Sequence, residues 1–244
     1  MKKIDLASIV GKGYASFWSF KGRYRVVKGS RASKKSKTIA LWYIINMMLN
    51  PEANLLVIRR TGNTLRDSCY ADLLWAINRI DRVFVDTYGP KASIAEKWDP
   101  KLSPLYITYK PTGQKILFRG LDDAQKVTSV TVTKGVLCWA WIEEAFQVTD
   151  EDEFNKLDGS IRGEVPDGYF KQLTFSFNPW SDRSWLKRRF FDVKSSDIFA
   201  ITTTYLQNEW LDEADRRYFE NLRENFPRRY RIEGLGEWGI SEGL

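Results

Sequence analysis

Three short stretches of this sequence carry side chains that can do chemistry together. The first is Gly29-Ser30-Arg31-Ala32-Ser33-Lys34-Lys35-Ser36, followed by Lys37. A loop of this kind, opening a helix, can turn backbone N–H groups onto a phosphate. Counted from Gly29, Lys35 stands where a lysine reaches the β- and γ-phosphates, and Ser36 where a hydroxyl meets Mg2+. Lys34 occupies the place where such loops usually carry a second glycine. Taken alone, the stretch reads equally well as a basic loop whose Ser36 caps a helix.

The second stretch is Leu137-Cys-Trp-Ala-Trp-Ile142-Glu143-Glu144, an apolar run ending on two acids. Nucleotide hydrolysis needs one carboxylate for Mg2+ and another to orient the attacking water, which suits Glu143 and Glu144 in that order. The plain alternative is an exposed acidic turn after a buried strand. The third stretch, Thr174-Phe-Ser176-Phe-Asn178-Pro179, ends a strand on a hydroxyl and an amide. Beside the acidic strand these groups face the γ-phosphate; read without the other two, it is an ordinary strand-to-turn junction.

The elements that must hold these residues alternate strand and helix. Tyr24–Lys28 is a short strand, 36–50 an apolar helix stopped by Pro51, and Asn54–Arg59 a buried strand followed by a helix near 64–79. Leu105–Tyr109 and Lys115–Arg119 alternate like a β-ribbon. Val136–Ile142, Gln172–Phe177 and Phe199–Thr204 complete a set of apolar strands separated by helices. Such strands predict a mainly parallel sheet covered on both faces, with the ligand at their carboxyl ends. The polar residues singled out above fall at those ends.

Composition narrows the chemistry. The 244 residues contain no histidine, which excludes His-based triads, His metal sites and His acid–base catalysis. A formal charge of +7 suits a polyanionic partner without requiring one. Basic clusters at Lys21–Arg25, Lys34–Lys37, Lys187–Lys194 and Arg228–Arg231 are candidate nucleic-acid contacts, although most charge runs are solvated faces. The two cysteines, Cys69 and Cys138, fit no metal-ligand spacing and read as reduced thiols. No apolar run reaches the length of a membrane span, and the amino-terminal stretch lacks a signal-peptide core.

The order Lys28-Gly29 to Ser36, then Trp141-Ile-Glu-Glu-Ala145, then Phe175-Ser-Phe-Asn-Pro179 resembles the ATPase half of phage terminase large subunits. The group typified by defective-prophage and Gram-positive phage terminases is nearest in flavour. Ile58-Arg59-Arg60, Phe118-Arg119-Gly120-Leu121, Ile161-Arg162-Gly163 and the run from Tyr230 to Trp238 match in kind and order, so the likeness runs from about Tyr24 to Trp238. It implies an α/β P-loop NTPase fold of the additional-strand, RecA-like type, with ATP and Mg2+ as cofactors. By resemblance, Lys35 is the phosphate-loop lysine, Ser36 and Glu143 hold Mg2+, and Glu144 positions water. Ser176 and Asn178 resemble the coupling motif, and Arg31 the arginine inside the loop. Arg162 is the candidate for an arginine reaching a neighbouring subunit's nucleotide, with Arg119 as its competitor.

The resemblance further implies double-stranded DNA, a portal protein, a small terminase subunit and self-association into a ring on the procapsid as partners, in the cytoplasm of the infected host cell. Residues 1–235 are expected to form the motor domain, and 236–244 to begin a linker to a nuclease domain, with no nuclease activity in this chain. Two readings stay open: another P-loop ATPase such as a helicase-like motor, and a non-hydrolysing DNA-binding or assembly module whose loop has decayed at Lys34.

Overall fold

Apolar residues that run without polar alternation form the centre of a sheet. In the computed structural model, which describes residues 3–123, 127 and 129–240, two short helices, α1 (Leu6–Val10) and α2 (Ala15–Ser19), precede β1 (Tyr24–Gly29). Then come α3 (Lys35–Leu49), β2 (Ala53–Arg59) and α4 (Ala71–Tyr88). The strands β3 (Trp98–Leu102), β4 (Leu105–Tyr109), β5 (Gln114–Gly120) and β6 (Val136–Glu143) follow. The chain continues through α5 (Glu151–Ser160), β7 (Gln172–Phe177), β8 (Ile198–Thr203) and α6 (Glu213–Asn225).

The eight strands lie in the order β3-β4-β5-β2-β6-β7-β1-β8. From β5 to β8 every pairing is parallel, while β3 and β4 are antiparallel additions at one edge. One strand, β7, is inserted between β1, which carries the loop, and β6, which carries the acids. This is the expected additional-strand arrangement of an α/β P-loop fold. Both faces are covered, so successive residues of one strand enter different layers. Trp139 and Trp141 pack with α3 and α4, whereas Ala140 and Ile142 pack with Phe154, Trp185 and Phe190 on the other side.

Two elements depart from the sequence reading. Trp98–Leu102 forms an edge strand despite Pro100, which an edge tolerates because that side needs no ladder donor. The helix expected near 64–79 instead begins at Ala71 and runs to Tyr88, preceded by a 3-10 turn (Gly62–Thr64) and a π-turn (Arg66–Tyr70). The π-turn is closed by Tyr70 N donating to Leu65 O at 3.1 Å, while Ser68 Oγ donates to Thr64 O at 2.9 Å. That extra residue per turn delays the regular helix.

Candidate nucleotide site

The loop expected to hold phosphate leaves β1 at Gly29, where no side chain fits: a Cβ there would lie 2.2 Å from Thr203 Oγ1. Ala32 and Lys34 both have φ of 54°, the left-handed region that glycine adopts most readily. Lys34 is therefore a substitution of residue type, not of backbone shape. Its side chain leaves the loop altogether: the ammonium pairs with Glu209 and lies 4.8 Å from the Trp210 ring centre. Further contacts brace the loop from outside. Tyr14 Oη donates to Ser33 O at 2.6 Å, and Asn208 Nδ2 to Ala32 O at 2.7 Å.

Lys35 does the opposite. Its ammonium folds back over the loop, donating to Ser30 O at 2.7 Å and reaching Gly29 O at 3.3 Å. Burial lowers its pKa to about 8, against the pull of Glu144 and Glu143. The first turn of α3 follows with no side-chain cap, so its free N–H groups and helix dipole favour an anion at this point.

Across β7, Glu143 ends β6 in register with Ser176, and Ser36 Oγ donates to Glu143 Oε1 at 3.3 Å. Burial, with Glu144 adding to it, raises the Glu143 pKa, and the neighbouring Arg59 opposes the rise. Glu144, half-buried, turns out of the strand with φ of 52°, a left-handed conformation that aims successive carboxylates in different directions. Two hard oxygen donors, Ser36 Oγ and Glu143 Oε1, thus converge in a way that fits Mg2+. Among the described residues no cluster of three or more His, Cys, Asp or Glu assembles, so its other positions would fall to phosphate and water oxygens.

Ser176 Oγ accepts from Trp141 Nε1 at 2.9 Å, leaving its own hydroxyl proton to donate. Asn178 follows β7, whose Phe177 is paired with Lys28, and its Nδ2 is buried without a hydrogen-bond partner. Arg31 leans outward, its Nε 3.6 Å from Glu233 Oε2, and Lys37 pairs with Asp72 at 2.7 Å. Neither points at Glu143. Arg162 is exposed near the amino ends of the strands, opposite the loop: Arg23, just before β1, donates to the carbonyl of its neighbour Ile161 at 3.1 Å. Arg119, half-buried near the carboxyl end of β5, lies on the same carboxyl-end side of the sheet as the loop, four strands from β1.

Residues 21–237 match the family model described as phage terminase large subunit. The chain belongs to that family. It is 33% identical to the terminase large subunit of Bacillus phage SPP1 over 97% of this chain and 55% of that protein. To the PBSX phage terminase large subunit of Bacillus subtilis (strain 168) it is 25% identical over 89% of this chain and 50% of that protein. The chain thus spans about half the length of these curated relatives. In fold it is similar to the large terminase of a thermophilic bacteriophage in complex with ADP, with TM-score 0.66, 19% identity, and coverage of 98% of this chain and 54% of that one. The Thermus phage P74-26 large terminase ATPase domain matches with TM-score 0.64 and 13% identity over 95% of this chain and 96% of that one.

In this terminase domain several neighbours of the site escaped the sequence reading. Arg59 lies 3.0 Å from Glu143 Oε2, and Glu209 holds Lys34. Glu233 O accepts from Arg31 N at 2.9 Å, and Lys28 Nζ donates to Gly236 O at 2.5 Å. The stretch from Gly236, where a linker was expected, is packed here: Trp238 lies 5.8 Å from Phe177, ring centre to ring centre, and Gly239 N donates to Pro179 O at 2.8 Å. Residues 241–244, also assigned to the expected linker, lie outside the described residues. No local pattern marks these pairings, because each joins elements distant in sequence. The four basic clusters are largely engaged: Arg23 pairs with Asp158, Lys34 with Glu209, Lys37 with Asp72, Arg189 with Glu151, and Arg229 with Glu233. Among the described residues no helix is long and apolar enough to cross a membrane.

Proposed function

We propose that this domain binds and hydrolyses ATP to drive double-stranded DNA into a procapsid. The observation that carries the reading is the 3.3 Å approach of Ser36 to Glu143, directly after a lysine-bearing loop at a helix start. Ser36 and Glu143 would hold Mg2+, which neutralises charge on the phosphates. Lys35 exchanges the carbonyls of Gly29 and Ser30 for phosphate oxygens, and the α3 amides add neutral donors. Glu144 orients and polarises the attacking water. The Asn178 amide, a buried donor without a partner, is suited to sense the γ-phosphate beside β1. Catalysis here is positional and electrostatic, since phosphoryl transfer asks for little covalent work.

The left-handed Lys34 supports an intact loop over a decayed one, because the side chain is turned out of the way while the backbone keeps the glycine-like shape. Portal protein, small subunit, a ring on the procapsid and the cytoplasm of the infected cell complete the proposal, with Arg162 or Arg119 acting on a neighbour's nucleotide. Calorimetric titration of ATP with and without Mg2+ tests the core of it. Mg2+-strengthened binding is expected; absence of nucleotide binding overturns the reading.

A further inference from the structure

The parallel register of β2 and β6 sets Ile58 opposite Ile142, which places Arg59 beside Glu143. Arg59 Nε lies 3.0 Å from Glu143 Oε2, and both side chains are mostly buried, 15% and 10% exposed. Neither atom gains an aligned hydrogen bond, so this contact is one of charge. The same guanidinium also reaches the turn that follows β2. Nη1 donates to Ser68 Oγ at 3.2 Å and to Thr64 O at 3.3 Å. Glu143 is likewise divided, with Oε1 toward Ser36 and Oε2 toward Arg59.

We propose that Arg59 is a positioning residue that ties the Glu143 carboxylate to the Gly62–Tyr70 turn, so that a divalent cation drawn to Glu143 displaces that turn. The inference rests on the Mg·nucleotide reading of the site. The guanidinium is a rigid planar fork, so displacement at Nε is carried to Nη1 as one body. A cation shared by Ser36 and Glu143 would bring positive charge against Arg59, and like charges at that range in a sparsely solvated setting repel. The receiving element is suited to move. It is a 3-10 turn followed by a π-turn, joined to α4 without a capping side chain. Gly62 and Leu65 of this turn also line a cavity of about 630 Å³ together with Phe118, Arg119 and Asp122. The state of the nucleotide would thereby reach Arg119 through Arg59, across the carboxyl ends of β6, β2 and β5.

Amide hydrogen exchange of residues 62–70, measured by mass spectrometry on the full chain at saturating nucleotide, tests this. Three conditions are compared: no nucleotide, ADP with EDTA, and ADP with Mg2+. In the wild type, exchange at 62–70 is expected to change severalfold with Mg·ADP and not with ADP in EDTA. Arg59→Ala is expected to lose that change, and Ser68→Ala, which leaves the bond to Thr64 O, to reduce it. Arg59→Lys, which keeps the charge but not the second arm, is expected to lose it too. Ser68→Ala removes one oxygen at a half-buried position and carries the test if Arg59→Ala does not fold. A turn that ignores Mg·ADP in the wild type overturns the proposal, as does an unaltered response in Arg59→Ala or Ser68→Ala, or full restoration by Arg59→Lys. A wild type that binds no ADP under any condition overturns the nucleotide reading itself.

Discussion

The Lys34 ammonium is sealed against Glu209, with 1% of the lysine side chain exposed and 34% of the glutamate. The two ends of this pair are therefore not equivalent. Removing the carboxylate strands a buried cation that only the Trp210 and Tyr14 rings can still attract, whereas removing the ammonium leaves a carboxylate that water can reach. Glu209→Ala is expected to destabilise the domain by about 2–4 kcal/mol, and Lys34→Met by about 1 kcal/mol. Denaturant unfolding of both variants checks this; equal losses, or the larger loss in Lys34→Met, would show that the pair does not brace the loop as described.

Lys35 and Lys34 should separate cleanly in binding. Lys35→Ala is expected to abolish Mg·ATP binding, while Lys34→Met keeps most of it. Lys35 also supplies a pH signature, because burial holds its pKa to about 8 in the free site. Phosphate favours the charged form and raises that value, so binding takes up a proton only where free Lys35 has lost one. Below about pH 8 the lysine is already charged and affinity is flat. Above it, affinity falls toward about tenfold per pH unit. Titrations in buffers of different ionisation enthalpy at pH 7 and pH 9 count the proton; no uptake at the higher pH argues against Lys35 as the phosphate ligand.

The two acids should fail differently. Glu144→Gln is expected to bind Mg·ATP and lose turnover by about 10²–10⁴-fold, since only the water-positioning carboxylate is gone. Glu143→Gln is expected to weaken Mg2+-dependent binding itself, because Ser36 would face an amide. Binding and single-turnover rates measured on the same preparations decide it. Wild-type turnover in Glu144→Gln would remove that residue from the mechanism.

Arg162 lies at the far end of β1 from Gly29, and six strand residues separate the two ends by about 20 Å. Arg162→Ala is accordingly expected to leave the activity of dilute monomer unchanged. If Arg162 acts in an assembled ring, the loss appears only there, by about 10³–10⁵-fold as for other arginines supplied in trans. Arg119→Ala is the matched comparison, because that residue lies on the carboxyl-end side of the sheet, as the loop does. Specific activity against enzyme concentration, with assembly followed by light scattering, is the measurement. Loss of monomer activity in Arg162→Ala would contradict its placement.

What the sequence determined by itself was the local framework: which apolar runs are the central strands, which helix follows the loop, and the register that sets Lys35 and Ser36 at its start, though not the edge strand Trp98–Leu102. Glycine at 29, an apolar run ending on two acids, and a strand closing on Ser176 and Asn178 are short-range patterns. Near-neighbour geometry fixes them, so they can be read directly. The same geometry misled at 64–79, where Thr64 and Ser68 hydrogen bonds insert a π-turn that helical periodicity does not announce.

Only the tertiary structure decided the partners. Lys34 looks like a defect of the loop until Glu209, 175 residues away in sequence, takes its charge. Arg59 is one arginine among many until the β2–β6 pairing sets it against Glu143. Nothing near Arg162 in the sequence shows how far it lies from its own subunit's loop until the segment after α5 sets it by Arg23, at the amino end of β1. The reason is the same in each case. Spacing along the chain fixes where a side chain sits on its own element, but which distant charge it meets depends on strand order and register, and those are settled by burying both faces of the sheet at once.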